Sequence, residues 1–168
     1  MTNAAVLRIA AGAGAFLIAL ASCTELASTK APDVTAPTLD AALVLSSTAP
    51  APGSTVDVMA QIGPSTRALV GSYTARIRYD STALRFQEEL SIADGTTRAT
   101  NATSGLVRFA GAAPAGIATG RLAGFRFLVL RADAVRSLQL VVDELHTVSR
   151  ADAASLVRLA PSRTAVAP

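Results

Sequence analysis

The chain has 168 residues, with 15 Lys+Arg against 12 Asp+Glu, one Cys and one His. That is one domain's worth of sequence, long enough for a hydrophobic core. A formal net charge of +3 is too small for a nucleic-acid footprint, and one Cys with one His excludes an internal disulfide, Cys–His catalysis and the usual zinc ligand sets.

At the N-terminus, Met1 to Arg8 carries one side-chain positive charge. Ile9 to Ala21 follows, about 13 residues without a charged side chain. This run fits a signal-peptide core and is shorter than the roughly 20 residues a bilayer-spanning helix needs. It ends Leu20-Ala21-Ser22-Cys23, which resembles the lipobox of bacterial lipoprotein precursors. The resemblance implies a signal over 1–22, a diacylglycerol thioether on Cys23 and cleavage just before it. It also explains a lone cysteine in an exported chain, where a free thiol is a liability. No cofactor is expected beyond this covalent lipid. Thr24 stands where some lipoproteins carry the Asp that retains them at an inner membrane, which points to the outer one where two exist.

Residues 23–38 are rich in Ser, Thr, Pro and Ala and show no apolar period. They read as a tether with a reach on the order of 20 Å. From 39 onward the dominant period is two. Thr55–Ile62 sets Val56, Val58, Ala60 and Ile62 on one face. Tyr73–Tyr79 sets Tyr73, Ala75, Ile77 and Tyr79 against Thr74, Arg76 and Arg78. Ala123–Val129 and Leu138–Val142 alternate in the same way. Shorter strands are expected at Leu39–Leu45, Leu84–Leu90, Leu106–Ala110 and Ser155–Leu159. Turn chemistry separates them at Pro52-Gly53, Gly63-Pro64, Asp94-Gly95, Ser104-Gly105 and Pro114-Ala-Gly116. At most a helical turn is expected at Ala132–Val135 and at Ala151–Leu156, and the tail 161–168 reads as frayed. Many short strands with one apolar face predict an all-β antiparallel sandwich or barrel.

Gly71-Ser-Tyr-Thr-Ala-Arg-Ile-Arg-Tyr-Asp80, followed by Leu84-Arg-Phe86, resembles cohesin domains, where a strand ends in Tyr-Asp and a Leu soon opens the next. Asn101–Gly111 resembles the family's middle strand after a polar loop. Gly120–Val129 and Leu138–Leu145 resemble two later strands. The similarity spans roughly residues 39–160 and implies a nine-stranded jelly-roll sandwich. It also implies a non-enzymatic protein-binding module in which one exposed sheet face docks a partner helix. By that resemblance Thr74, Arg76, Arg78, Arg108 and Gln139 form the partner-binding face, while Arg126 belongs to the opposite sheet. A solvated strand face remains the plain alternative for these side chains. No dockerin-type Ca²⁺ loop is present in the sequence, so the partner would be another envelope or extracellular protein.

The residues offer little for catalysis. His146, close to Asp143 and Glu144, reads as a surface or edge residue. No Gly-x-Ser-x-Gly elbow occurs. Glu88 and Glu89 are adjacent, so in a strand they face opposite ways, unlike a glycosidase pair. Asn101-Ala-Thr103 reads as an ordinary polar loop. No catalytic or metal-binding residue is expected. Two other readings stay open: a carbohydrate-binding surface lipoprotein with a polysaccharide ligand, and a structural component of the cell envelope. The first lacks Trp, and both Tyr fall on the inward phase.

Overall fold

The computed structural model describes residues 38–63, 69–117 and 120–164. The expectations for the signal 1–22, for Cys23 and for the tether up to residue 37 lie outside the described residues. Within residues 35–168, which form one compact unit, the strands are β1 (Leu39–Leu45), β2 (Thr55–Ile62), β3 (Val70–Arg78), β4 (Leu84–Leu90) and β5 (Thr97–Thr103). They continue with β6 (Leu106–Ala112), β7 (Arg121–Val129), β8 (Gln139–Thr147), β9 (Val157–Leu159) and β10 (Arg163–Thr164).

Two sheets pack face to face. One has the order β10-β1-β2-β7-β4, with β9 also on β1; the other has the order β5-β6-β3-β8. All pairs are antiparallel except those of β9 and β10 with β1, which are parallel. The expected all-β antiparallel sandwich is therefore the fold. Ten strands are present among the described residues, against nine expected, because β9 and β10 are two pieces of one path along β1. Ala160 N–H donates to Ala41 O at 2.8 Å. Pro161 then has no N–H to continue the ladder, and pairing resumes at Val44↔Arg163 and Leu45↔Thr164. The tail expected to fray from Pro161 is thus held on the sheet as far as Thr164.

Alternation places the expected residues in the core. Val56, Val58, Ala60, Ile62, Tyr73, Ala75, Ile77, Phe125, Phe127 and Val129 are all buried. Six aromatic rings form a continuous chain of ring contacts: Tyr73–Phe109–Phe125–Phe86–Phe127–Tyr79. Phe109–Phe125 and Tyr79–Phe127 cross between the sheets, each with centroids 5.1 Å apart. These edge-on contacts suit the ring quadrupoles. Gly111, opposite Tyr73, leaves room for that ring, since a Cβ there would lie 2.5 Å from the Tyr73 hydroxyl.

The Tyr79-Asp80 motif turns the chain as expected. Thr82 donates its N–H and its hydroxyl to Asp80 Oδ1, at 2.8 and 2.7 Å. Leu84 then returns to the core, fully buried. The two expected helical turns are 3₁₀ turns at Ala134–Ser137 and Ala154–Leu156.

Two expectations need correction. Asn101–Thr103 is not a polar loop but the second half of β5, and only Ser104–Gly105 turns, with Gly105 at φ +77°. And β8 runs on to Thr147, past the Val142 of the alternation and the Leu145 of the resemblance, through a bulge opposite Thr74/Ala75.

Candidate functional site

The outer face of the β5-β6-β3-β8 sheet is built in four rows, each fixed by register. The first runs Thr97, Ala112, Ser72, His146. The second runs Ala99, Ala110, Thr74, Glu144. The third runs Asn101, Arg108, Arg76, Val141, and the fourth Thr103, Leu106, Arg78, Gln139. All five sequence-predicted residues, Thr74, Arg76, Arg78, Arg108 and Gln139, therefore lie on one face. Their inner neighbours Tyr73, Ala75, Ile77, Val107 and Phe109 are buried, and this fixes the outward phase. Successive rows stand about 7 Å apart along the strands.

Across β5, β6 and β3 the first two rows carry small side chains, with Ala99, Ala110 and Ala112 beside the hydroxyls of Thr97, Ser72 and Thr74, and His146 and Glu144 stand at their β8 end. The last two carry the three arginines. Arg76 Nη2 lies 3.1 Å from Asp143 Oδ1, with both side chains about one-third exposed. Thr74 Oγ1 donates to Glu144 Oε2 at 3.4 Å. Simple alternation from Val142 would turn Glu144 inward. The β8 bulge inserts an extra residue, so that Asp143 and Glu144 both reach solvent. His146 is half-buried beside Ser72 and makes a backbone bridge to Asp152, an edge residue as expected.

The edge of this face is fastened to the other sheet by Arg98, on the inner side of β5. Arg98 Nη2 donates to Asp94 Oδ2 at 2.6 Å, and the two side chains are 9% and 8% exposed. Arg98 Nε donates to Leu122 O at 2.6 Å, and the Tyr73 hydroxyl donates to the same carbonyl. Leu122 is the extra residue of a bulge where β7 passes Ala60/Gln61, so its carbonyl is open to these donors. The Arg98 hydrogen bond holds the Asp94 carboxyl down at about 2. Burial pushes the Tyr73 phenol above its usual range. Nothing in the sequence pattern marks this clamp, because Thr97–Thr103 shows no alternation of large apolar side chains.

On the opposite sheet's outer face Arg126 donates to Asp57 at 2.8 and 3.1 Å and to Glu88 at 2.7 Å. Glu88 is thus engaged in an ion pair. Among the described residues no group of three or more His, Cys, Asp or Glu is placed to hold a metal.

The cohesin-domain family model matches residues 41–156. The chain belongs to the cohesin family. Solved cohesins share the fold at low sequence identity. The sixth cohesin of scaffoldin B from Acetivibrio cellulolyticus, solved in complex with a dockerin, aligns with a TM-score of 0.58 and 14% identity, over 74% of this chain and 98% of that one. A cohesin from Clostridium acetobutylicum aligns with a TM-score of 0.54 and 20% identity, over 78% and 94%. A non-cellulosomal cohesin from the archaeon Archaeoglobus fulgidus aligns with a TM-score of 0.50 and 19% identity, over 74% and 85%. No curated protein matches the chain. Cohesin domains are non-catalytic protein-binding modules, so this chain is not an enzyme. All six aromatic residues beyond Cys23 belong to the ring chain, and five of them are buried while Phe86 is half-buried.

Proposed function

We propose that this cohesin domain is the receptor half of a docking pair. A dockerin-type partner lays a helix across the outer face of β5-β6-β3-β8, and a lipid on Cys23 holds the domain at a membrane outside the cytoplasm. The observation that carries the first part is the face itself. Register gathers an alanine and hydroxyl platform and three arginines onto one sheet face, in a chain of cohesin fold. The Acetivibrio relative was solved with a dockerin bound, and the archaeal one is described as non-cellulosomal, so the partner need not be a cellulosomal enzyme.

Reversing Arg76 and Arg78 to Glu in the full chain is expected to cut capture of the partner from the producing cells about tenfold or more, since a lost charge pair of roughly 1.4 kcal/mol is one decade. Arg85→Glu, on exposed β4 of the other sheet, is the control and should leave capture unchanged. Equal loss from both variants, with melting curves like the wild type, would refute docking at this face.

The lipid anchor rests on Leu20-Ala21-Ser22-Cys23. Two or more acyl chains hold a protein firmly, at roughly 0.8 kcal/mol per buried CH₂. Cys23→Ser is expected to move the protein from the detergent phase to the aqueous phase in a cloud-point partition. A variant that stays in the detergent phase would defeat the anchor.

A further inference from the structure

The docking face is unevenly charged, and the imbalance describes its partner. Arg76 and Arg108 are direct cross-strand neighbours, and Arg78 is one pair further along the same two strands. Like charges directly opposite on a sheet are destabilising. Asp143 answers Arg76, but among the described residues Arg78 and Arg108 have no ion-pair partner. Arg76 Nε is also buried without an acceptor. The fold therefore holds a cationic cluster at one end of the face with acceptors for only one of its members.

Resting on the docking reading above, we infer that the partner is an acidic helix, with two carboxylates one turn apart, set over Arg108 and Arg78. The spacing fits. Diagonal neighbours on a sheet lie about 7–8 Å apart, and residues four apart on a helix about 5–6 Å. An Arg fork takes a carboxylate through two N–H donors, so each pair fixes orientation as well as charge. The next turns of the same helix then lie over Ala110, Ala99 and Ala112, where only small side chains let the backbones approach. Charge chooses the partner and its direction; the alanine platform admits it.

The test is a yeast-display library of dockerin-fold helix pairs, with the exposed positions of one helix randomised among Ala, Ser, Leu, Lys and Glu, selected against the full chain. Two variants sort the outcome: Arg78→Glu/Arg108→Glu reverses the charge, and Ala110→Trp blocks the platform whatever the charge. Melting curves establish that both fold. The expected result is clones with paired Glu one turn apart that lose about tenfold or more in affinity on either variant and weaken as salt rises. Exchanging their Glu for Lys should restore binding to the charge-reversed chain. Clones stopped by Ala110→Trp but enriched in Lys, or indifferent to charge reversal, would overturn the acidic partner and leave docking standing. Clones that ignore Ala110→Trp, or the recovery of none, would overturn docking and the acidic partner together.

Discussion

Replacing Arg98 with Met is expected to cost the domain about 3–5 kcal/mol, the usual result of removing one partner from a buried ion pair. Met keeps most of the apolar stem and removes only the guanidinium, so packing loss is small. What remains is an Asp94 carboxylate only 8% exposed, kept by one N–H from Thr96 at 3.0 Å. The Ile92 and Leu122 carbonyls also lose an Arg98 donor. At about 3 °C per kcal/mol for a domain of this size, the melting temperature should fall by about 10 °C or more. A drop of only a degree or two would show that the clamp is not a stabilising contact.

The same clamp predicts an acid limb. Asp94 has its folded pKa depressed to about 2, against about 3.9 for a free Asp. The stability this shift provides is present above about pH 4 and is lost as pH falls from there toward about 2. Arg98→Met removes the largest cause of the shift, so its stability should change less across that window than that of the wild type. Melts between pH 2 and 5 compare the slopes directly.

The clamp also shows where the sequence could be read and where it could not. β1 and β2 carry their bounds in plain sight, because apolar side chains alternate along them up to a polar or turn residue. Alternation gives Thr74, Arg76 and Arg78 their outward phase, but only the cohesin resemblance groups them with Arg108 and Gln139 on one sheet face. β5 hid for the opposite reason. It is an edge strand whose inward residues are Arg98, Thr100 and Ala102, none of them a large apolar side chain. Hydrophobicity does not alternate along it even though burial does. An inward arginine carries no signal in a segment without apolar alternation, so the clamp to Leu122 is not legible there. Glu144 was lost to a bulge, which changes phase by one residue without changing composition. Bulges and edges are set by the neighbouring strand, which a local pattern does not contain.

Phe125→Ala is expected to cost about 3–5 kcal/mol, the range for a buried Phe that leaves a cavity. Phe125 is fully buried and is the link between the two halves of the ring chain. Its ring meets Phe109 at 5.1 Å and Phe86 at 6.2 Å. Its removal separates Tyr73–Phe109 from Phe86–Phe127–Tyr79. The cavity would be difficult to refill, because Phe109 is held in β6 between partners on both sides, β5 and β3. Phe86→Ala makes the comparison: it deletes the same ring from a half-buried position on edge strand β4, where water can enter, and should cost clearly less. Urea melts of both variants rank them, and equal losses would contradict the bridging role. The consequence reaches the docking face. Phe109 points inward between Arg108 and Ala110, which point outward, so the ring that loses its partner is the support under the centre of the platform. Amide exchange in β6 should therefore quicken in Phe125→Ala more than in Phe86→Ala.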